Sequence, residues 1–162
     1  MRVQAVMTPD VRTCTPDDSV NRAAELMWNG DCGFIPVLGE ENRVVGVLTD
    51  RDICMAGYLQ GRPLAEIQVA SVMSKDIVSC RPSDTIAEAE LTMGKSQVRR
   101  LPVIDASGAL VGVVSLNDLA RELERERGAK RADQVSAAEV AATLSAVCQP
   151  RFERETSRSL GC

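Results

Sequence analysis

The chain has no histidine among its 162 residues. That removes the commonest general base, every triad built on imidazole, and all imidazole metal ligands. Aromatic side chains are nearly as scarce, with two Phe, one Tyr and one Trp. So few rings do not make a platform on which successive bases stack. The net charge is −4 and the pI is about 5.0, so counterion release gives no general advantage on a phosphate backbone. Nucleic acid is not expected as a partner. No apolar run approaches the roughly 18 residues that span a bilayer. The first ten residues hold no apolar stretch of signal-peptide length. The expectation is a cytoplasmic protein with no membrane attachment. The six cysteines are Cys14, Cys32, Cys54, Cys80, Cys148 and Cys162, and none forms a Cys-x-x-Cys pair. They are expected to be small buried apolar residues rather than disulfides, with Cys162 a free terminal thiol. No clustered ligand set suggests a metal, and none is expected.

What is present is a duplication. Shifted by 66 positions, residues 7–54 lie over residues 73–120 without a gap, and 13 of these 48 positions are identical. The identities include Met7/Met73, Cys14/Cys80, Pro16/Pro82, Ala23/Ala89, Met27/Met93, Pro36/Pro102, Gly46/Gly112 and Asp52/Asp118. Two copies predict a pseudo-twofold pair rather than a solenoid. Each copy reads as a short strand (residues 12–14 or 78–80), a Pro turn, then helix-capping residues at Ser19 and Thr85. Val20, Ala23 and Met27 recur at helical spacing, as do Ile86, Ala89 and Met93. A hairpin follows, over residues 34–48 or 101–114, and a second helix opens near Asp50 or Asn117. One copy of this size makes a marginal core, so the two are expected to pack into one α+β unit.

The motifs resemble those of the tandem cystathionine β-synthase (CBS) domain, or Bateman module. They are Met7-Thr8-Pro9-Asp10-Val11, Phe34-Ile35-Pro36-Val37 and Gly46-Val47-Leu48-Thr49-Asp50-Arg51-Asp52 in the first copy. The second copy has Met73-Ser74, Arg99-Arg100-Leu101-Pro102-Val103 and Gly112-Val113-Val114-Ser115-Leu116-Asn117-Asp118. The resemblance implies two βαββα repeats about a pseudo-twofold axis, divided here as residues 1–66, 67–127 and a C-terminal helix and tail at 128–162. It also implies clefts that hold AMP, ADP, ATP or S-adenosylmethionine as regulatory ligands, and a homodimer shaped as a flat disc. Met27 and Met93, with alanines beside them, are the apolar positions expected to face that dimer.

The strand-to-helix junctions carry the chemistry. A helix that starts after Thr49 or Ser115 presents free N–H groups and partial positive charge, which suit a phosphate. Asp52 or Asp118, one turn on, is placed to accept from two ribose hydroxyls. The plain alternative is a helix cap with a solvated Asp. Gly46 and Gly112, three residues earlier, allow a ligand or a neighbouring strand close to the backbone. By the resemblance, adenine walls are Val11, Cys14 and Phe34, and in the other copy Ile77, Cys80 and Leu101; the alternative is that these are core. Arg99 and Arg100 stand where the first copy has Gly33 and Phe34, and two guanidinium forks suit phosphate. Arg51 and Asn117 complete the candidate set. Gly94-Lys95-Ser96 looks like the end of a P-loop, but the required earlier glycine is Ala89.

Beyond the repeats, residues 121–131 alternate Glu and Arg as a solvated helical extension ending near Gly128. Ser136 and Glu139 form a capping-box pattern before a short amphipathic helix that stops at Pro150. Residues 151–162 read as a polar, frayed end. With no effector domain attached, the expected function is a stand-alone sensor that binds an adenosyl ligand and acts on an effector protein in trans. The alternative is a dimeric interaction protein, also non-enzymatic, with empty or non-adenosyl clefts.

Overall fold

The computed structural model describes residues 1–126 and 135–150. The first repeat contains helix α1 (Val20–Asn29), strands β1 (Phe34–Leu38) and β2 (Val44–Thr49), and helix α2 (Asp50–Gln60). The second contains α3 (Ile86–Ser96), β3 (Arg100–Ile104), β4 (Leu110–Ser115) and α4 (Leu116–Glu126). Helix α5 (Ala137–Val147) follows.

Local chemistry explains the helix starts. The Ser19 hydroxyl accepts from the Arg22 N–H at 3.2 Å and caps α1. At α3, Thr85 and Glu88 make a reciprocal box: the Thr85 N–H donates to Glu88 at 2.7 Å, and the Glu88 N–H donates back at 3.2 Å. Residues three and four apart then face inward, and Val20, Ala23 and Met27 are buried, as are Ile86, Ala89 and Met93. Met27 and Met93 were expected on an exposed dimer face. They belong instead to the two cores, because their side of each helix packs on its own hairpin.

Both hairpins are antiparallel, and each has a register shift at the equivalent step, Val37/Leu38 and Val103/Ile104. The leading strand of each repeat is only one bridge residue long: Cys14 pairs in parallel with Val37, and Cys80 with Val103. Pro16 and Pro82 follow two residues later and offer no amide to a longer ladder.

The repeats interlock by exchanging their leading segments. The turn at Val3–Ala5 packs into the core of the second repeat, and the Val3 N–H donates to the Asp84 carbonyl at 2.9 Å. The equivalent turn at Val69–Ser71 packs into the core of the first, where the Val69 N–H donates to Asp18 at 2.9 Å. Thr8 and Val113 exchange both backbone hydrogen bonds at 2.9 Å. Val47 and Ser74 do the same at 3.0 and 2.9 Å. These reciprocal joints express the pseudo-twofold relation.

Helix α5 packs on α3 and, to a smaller extent, on α4. Ser136 caps it by accepting from the Glu139 N–H at 3.4 Å. Val135 and Val147 join the core of the second repeat. Gly128, the rest of the Glu/Arg stretch, and residues 151–162 with Cys162 lie outside the described residues.

Candidate functional site

Each strand-to-helix junction is a closed polar ring. At the first, the Thr49 N–H and hydroxyl both donate to one Asp52 oxygen, Oδ2, at 2.8 and 2.7 Å. The Asp52 N–H donates back to Thr49 Oγ1 at 3.2 Å. The second junction repeats the pattern: Ser115 N–H and hydroxyl donate to Asp118 Oδ2 at 2.8 and 2.5 Å, and the Asp118 N–H returns at 3.2 Å. The carboxylate sits at the positive end of a helix dipole and satisfies donors that the helix leaves open. The capping arrangement is therefore real in both copies. It occupies one oxygen of each Asp. The other oxygen of Asp118 accepts from Arg121 at 2.6 Å. The residue equivalent to Arg121 in the first repeat is Met55, which has no donor to offer Asp52.

Strand register brings other candidates to these rings. Phe34 pairs with Thr49, and Arg100 with Ser115. The Gly33 carbonyl accepts from the Asp50 N–H at 3.4 Å, and the Arg99 carbonyl accepts from Leu116 at 3.1 Å. Arg99, Arg51 and Asn117 are exposed; Arg100, Phe34, Val11 and Ile77 are half-buried. Cys14, Cys80 and Leu101 are buried members of the cores. Burial, with Asp18 beside it, pushes the Cys14 thiol up to about 11. Burial, with Asp84 beside it, pushes Cys80 to about 12. Both thiols stay protonated at neutral pH and serve as packing residues. Of the cysteines expected to be buried, Cys54 on α2 and Cys148 at the end of α5 are exposed, and Cys32 is half-buried.

Gly46 and Gly112 are explained by the neighbouring chain. A Cβ at Gly112 would lie 2.8 Å from the Thr8 carbonyl oxygen. One at Gly46 would lie 2.7 Å from Met73 Sδ and 3.0 Å from the Ser74 carbonyl oxygen. The close approach is that of the exchanged leading segment.

Two features escaped the sequence reading. A cleft of about 390 Å³ opens between α1 and α2, lined by Ala24, Met27, Trp28, Cys32, Asp50 and Ile53 among others. Of the candidate residues, Gly33 also lines it. The other feature is Glu90 on α3, a buried carboxyl whose Oε1 has no hydrogen-bond partner. Burial first, and the nearby Glu139 charge second, raise it to about 7. The lone Trp was a signal for the cleft; nothing local signalled Glu90.

Residues 3–58 and residues 69–125 each match the CBS domain. YhcV of Bacillus subtilis (strain 168), a CBS domain-containing protein, is 41% identical over 118 residues, which are 73% of this chain and 82% of YhcV. Enzyme relatives are matched over only 24% and 25% of their own length. Hypoxic Response Protein I, solved with two coordinated zinc ions, aligns with a TM-score of 0.69 at 31% identity, over 76% of this chain and 99% of that one. Among the described residues here, no group of three His, Cys, Asp or Glu side chains is placed to hold a metal ion. CBSX2, solved in complex with AMP, aligns with a TM-score of 0.69 at 27% identity, over 78% of this chain and 98% of that one.

Proposed function

This chain belongs to the CBS domain family, and from that premise we propose that it is a regulatory module binding AMP, ADP, ATP or S-adenosylmethionine at its two strand-to-helix junctions. The observation that carries the reading is the duplicated ring of Thr49 with Asp52 and Ser115 with Asp118, each at a helix N-terminus. At Asp52 a ribose would take the carboxylate oxygen left outside the ring, at Asp118 it would share that oxygen with Arg121, and a phosphate would take the helix N–H groups that the rings leave open. Arg99 and Arg100 would add positive charge beside the second junction only, so the two sites differ in their preference for phosphate. The half-buried Val11, Phe34 and Ile77 are the candidates for an adenine wall. The complex of CBSX2 with AMP supports the ligand class. The output would be a change of shape read by an effector protein in the cytoplasm, with no catalysis by this chain.

Calorimetry with the four ligands tests this. Asp118→Ala and Asp52→Ala should each weaken one of two binding events by roughly tenfold to a hundredfold, the loss of one charge-assisted contact set. Arg99→Ala should weaken phosphorylated ligands far more than adenosine. Unchanged binding in both Asp variants would remove the junctions from the site.

A further inference from the structure

Glu90, Gly94 and Gln97 follow one another at spacings of four and three, so they share one side of α3, and α5 lies over that side. The contact is close at Gly94, where a Cβ would be 3.4 Å from the Ala146 methyl. One end of the contact is tied by polar bonds. Gln97 donates to the carbonyls of Ala146 and Gln149 at 3.5 and 2.9 Å, and Arg99 donates to Cys148 Sγ at 3.9 Å. The other end holds a carboxyl with nothing to bond. Glu90 is 4% exposed, and its buried Oε1 has no partner. The charge that bears on it is Glu139, of the same sign and the only charged residue of α5. Among the described residues, Lys95 of α3 and Arg100 of β3 make no ion pair with Glu90. Glu122 of α4 is committed to Arg125 at 3.0 Å.

The apolar hold on α5 is small. Within the helix only Thr143 and Val147 are buried, with Val135 just before it. A helix of this length is marginal in water without its packing. We propose that α5 is a latch on α3 governed by the proton on Glu90, tight while that carboxyl is neutral and loose once it is ionised. A neutral carboxyl can stay in this contact with one hydrogen bond unmet, whereas an ionised one meets burial and a like charge together. Lifting the short α5 returns Glu90 to water and leaves the β3–β4 hairpin in place. Glu90 titrates at about 7 under α5, against its ordinary 4.5 in water. Docking is therefore fully supported below about pH 4.5 and loses that support as pH rises through 7. The undocking equilibrium should rise roughly 70-fold between pH 5 and pH 8, and little beyond. The first repeat lacks the latch: Ala24 stands in place of Glu90, and no described helix covers the neighbouring Trp28, which is 88% exposed. A loosened α5 also frees Arg99, so the charge beside the second junction changes with the latch. That consequence rests on the ligand reading; the docking itself does not.

Hydrogen exchange of the full chain without ligand, read by mass spectrometry from pH 5 to pH 9, tests the latch. Each rate is divided by the intrinsic rate at the same pH. The amides of α5 should be less protected than those of the β3–β4 hairpin at every pH. Their protection should fall roughly 70-fold from pH 5 to pH 8 and then level off. Glu90→Gln keeps the shape and removes the titration, so protection of α5 should stay flat across the range. Glu139→Gln leaves the burial and removes the like charge, and should make the fall smaller. Protection of α5 equal to that of the hairpin throughout overturns the proposal, because α5 then opens only with the whole fold. A fall of undiminished size in Glu90→Gln overturns it as well, because another group then controls the helix.

Discussion

Ala24, Trp28 and Asp31 of the first repeat become Glu90, Gly94 and Gln97 in the second. The hairpins, caps and cores of the two repeats are otherwise close copies, down to the register shift. Divergence is marked on the helix faces, where each copy meets something different, as it is at Gly33-Phe34 against Arg99-Arg100. Gly94 gives α5 room to approach, and Gln97 ties down its end. Trp28 stands at the equivalent position of the first repeat and is largely exposed. A duplicated fold thus keeps what closes each core and varies what lies outside it.

The largest expected effect tests the cost of that variation at Glu90. Its folded-state value of about 7 lies above its ordinary 4.5. The folded protein therefore holds a proton that the unfolded chain releases, and this contribution to stability is complete below about pH 4.5. It is lost as pH rises toward 7, by roughly 3 kcal/mol, and changes little above that. Urea unfolding at pH 5 and pH 8 should show the loss. Glu90→Gln should remove most of it, while Ala24→Glu, the same carboxylate on the uncovered copy, should add little pH dependence. An unaltered pH slope in Glu90→Gln would refute this account of the buried carboxyl.

A smaller effect is expected at the joints between repeats. Gly112→Ala drives a methyl against the Thr8 carbonyl and should cost roughly 1–3 kcal/mol. Gly46→Ala meets the flexible Met73 side chain first and should cost less. Thermal unfolding of the pair checks this; equal and negligible shifts would mean that the joints open easily. The smallest effect is at the caps. Thr49→Ala and Ser115→Ala should each cost about 1 kcal/mol, as read by the same unfolding measurement. A cost near zero for either would mean that water replaces the ring.

The parts of the fold written locally were legible. Ser19 and Thr85 mark helix starts, the spacing of Val20, Ala23 and Met27 marks a buried face, and the second copy repeats both signals. The junction hydroxyls and carboxylates were legible for the same reason. What was not legible depends on distant chain. Val3 and Val69 lie in short turns, each followed by Val and Met three and four residues on, and only the other repeat gives them a core. Glu90 reads as an ordinary surface position on an amphipathic helix until α5 covers it. Met27 was misread because a helix has two apolar sides only when a second layer is present, and its sequence does not say which one is inner.

The exchanged leading segments also bear on how the chain is made. Residues 1–8 leave the ribosome before either repeat is complete, yet Val3 rests among side chains that emerge some eighty to a hundred residues later, such as Ile86 and Leu101. The first repeat obtains Ile67 and Val69 as soon as its own hairpin and helices are complete. The second repeat must recapture a segment made before the first repeat, closing a long loop before its core is whole. A disturbance of residues 1–8 is therefore felt in the second repeat, which loses its clasp, while the first repeat keeps its own.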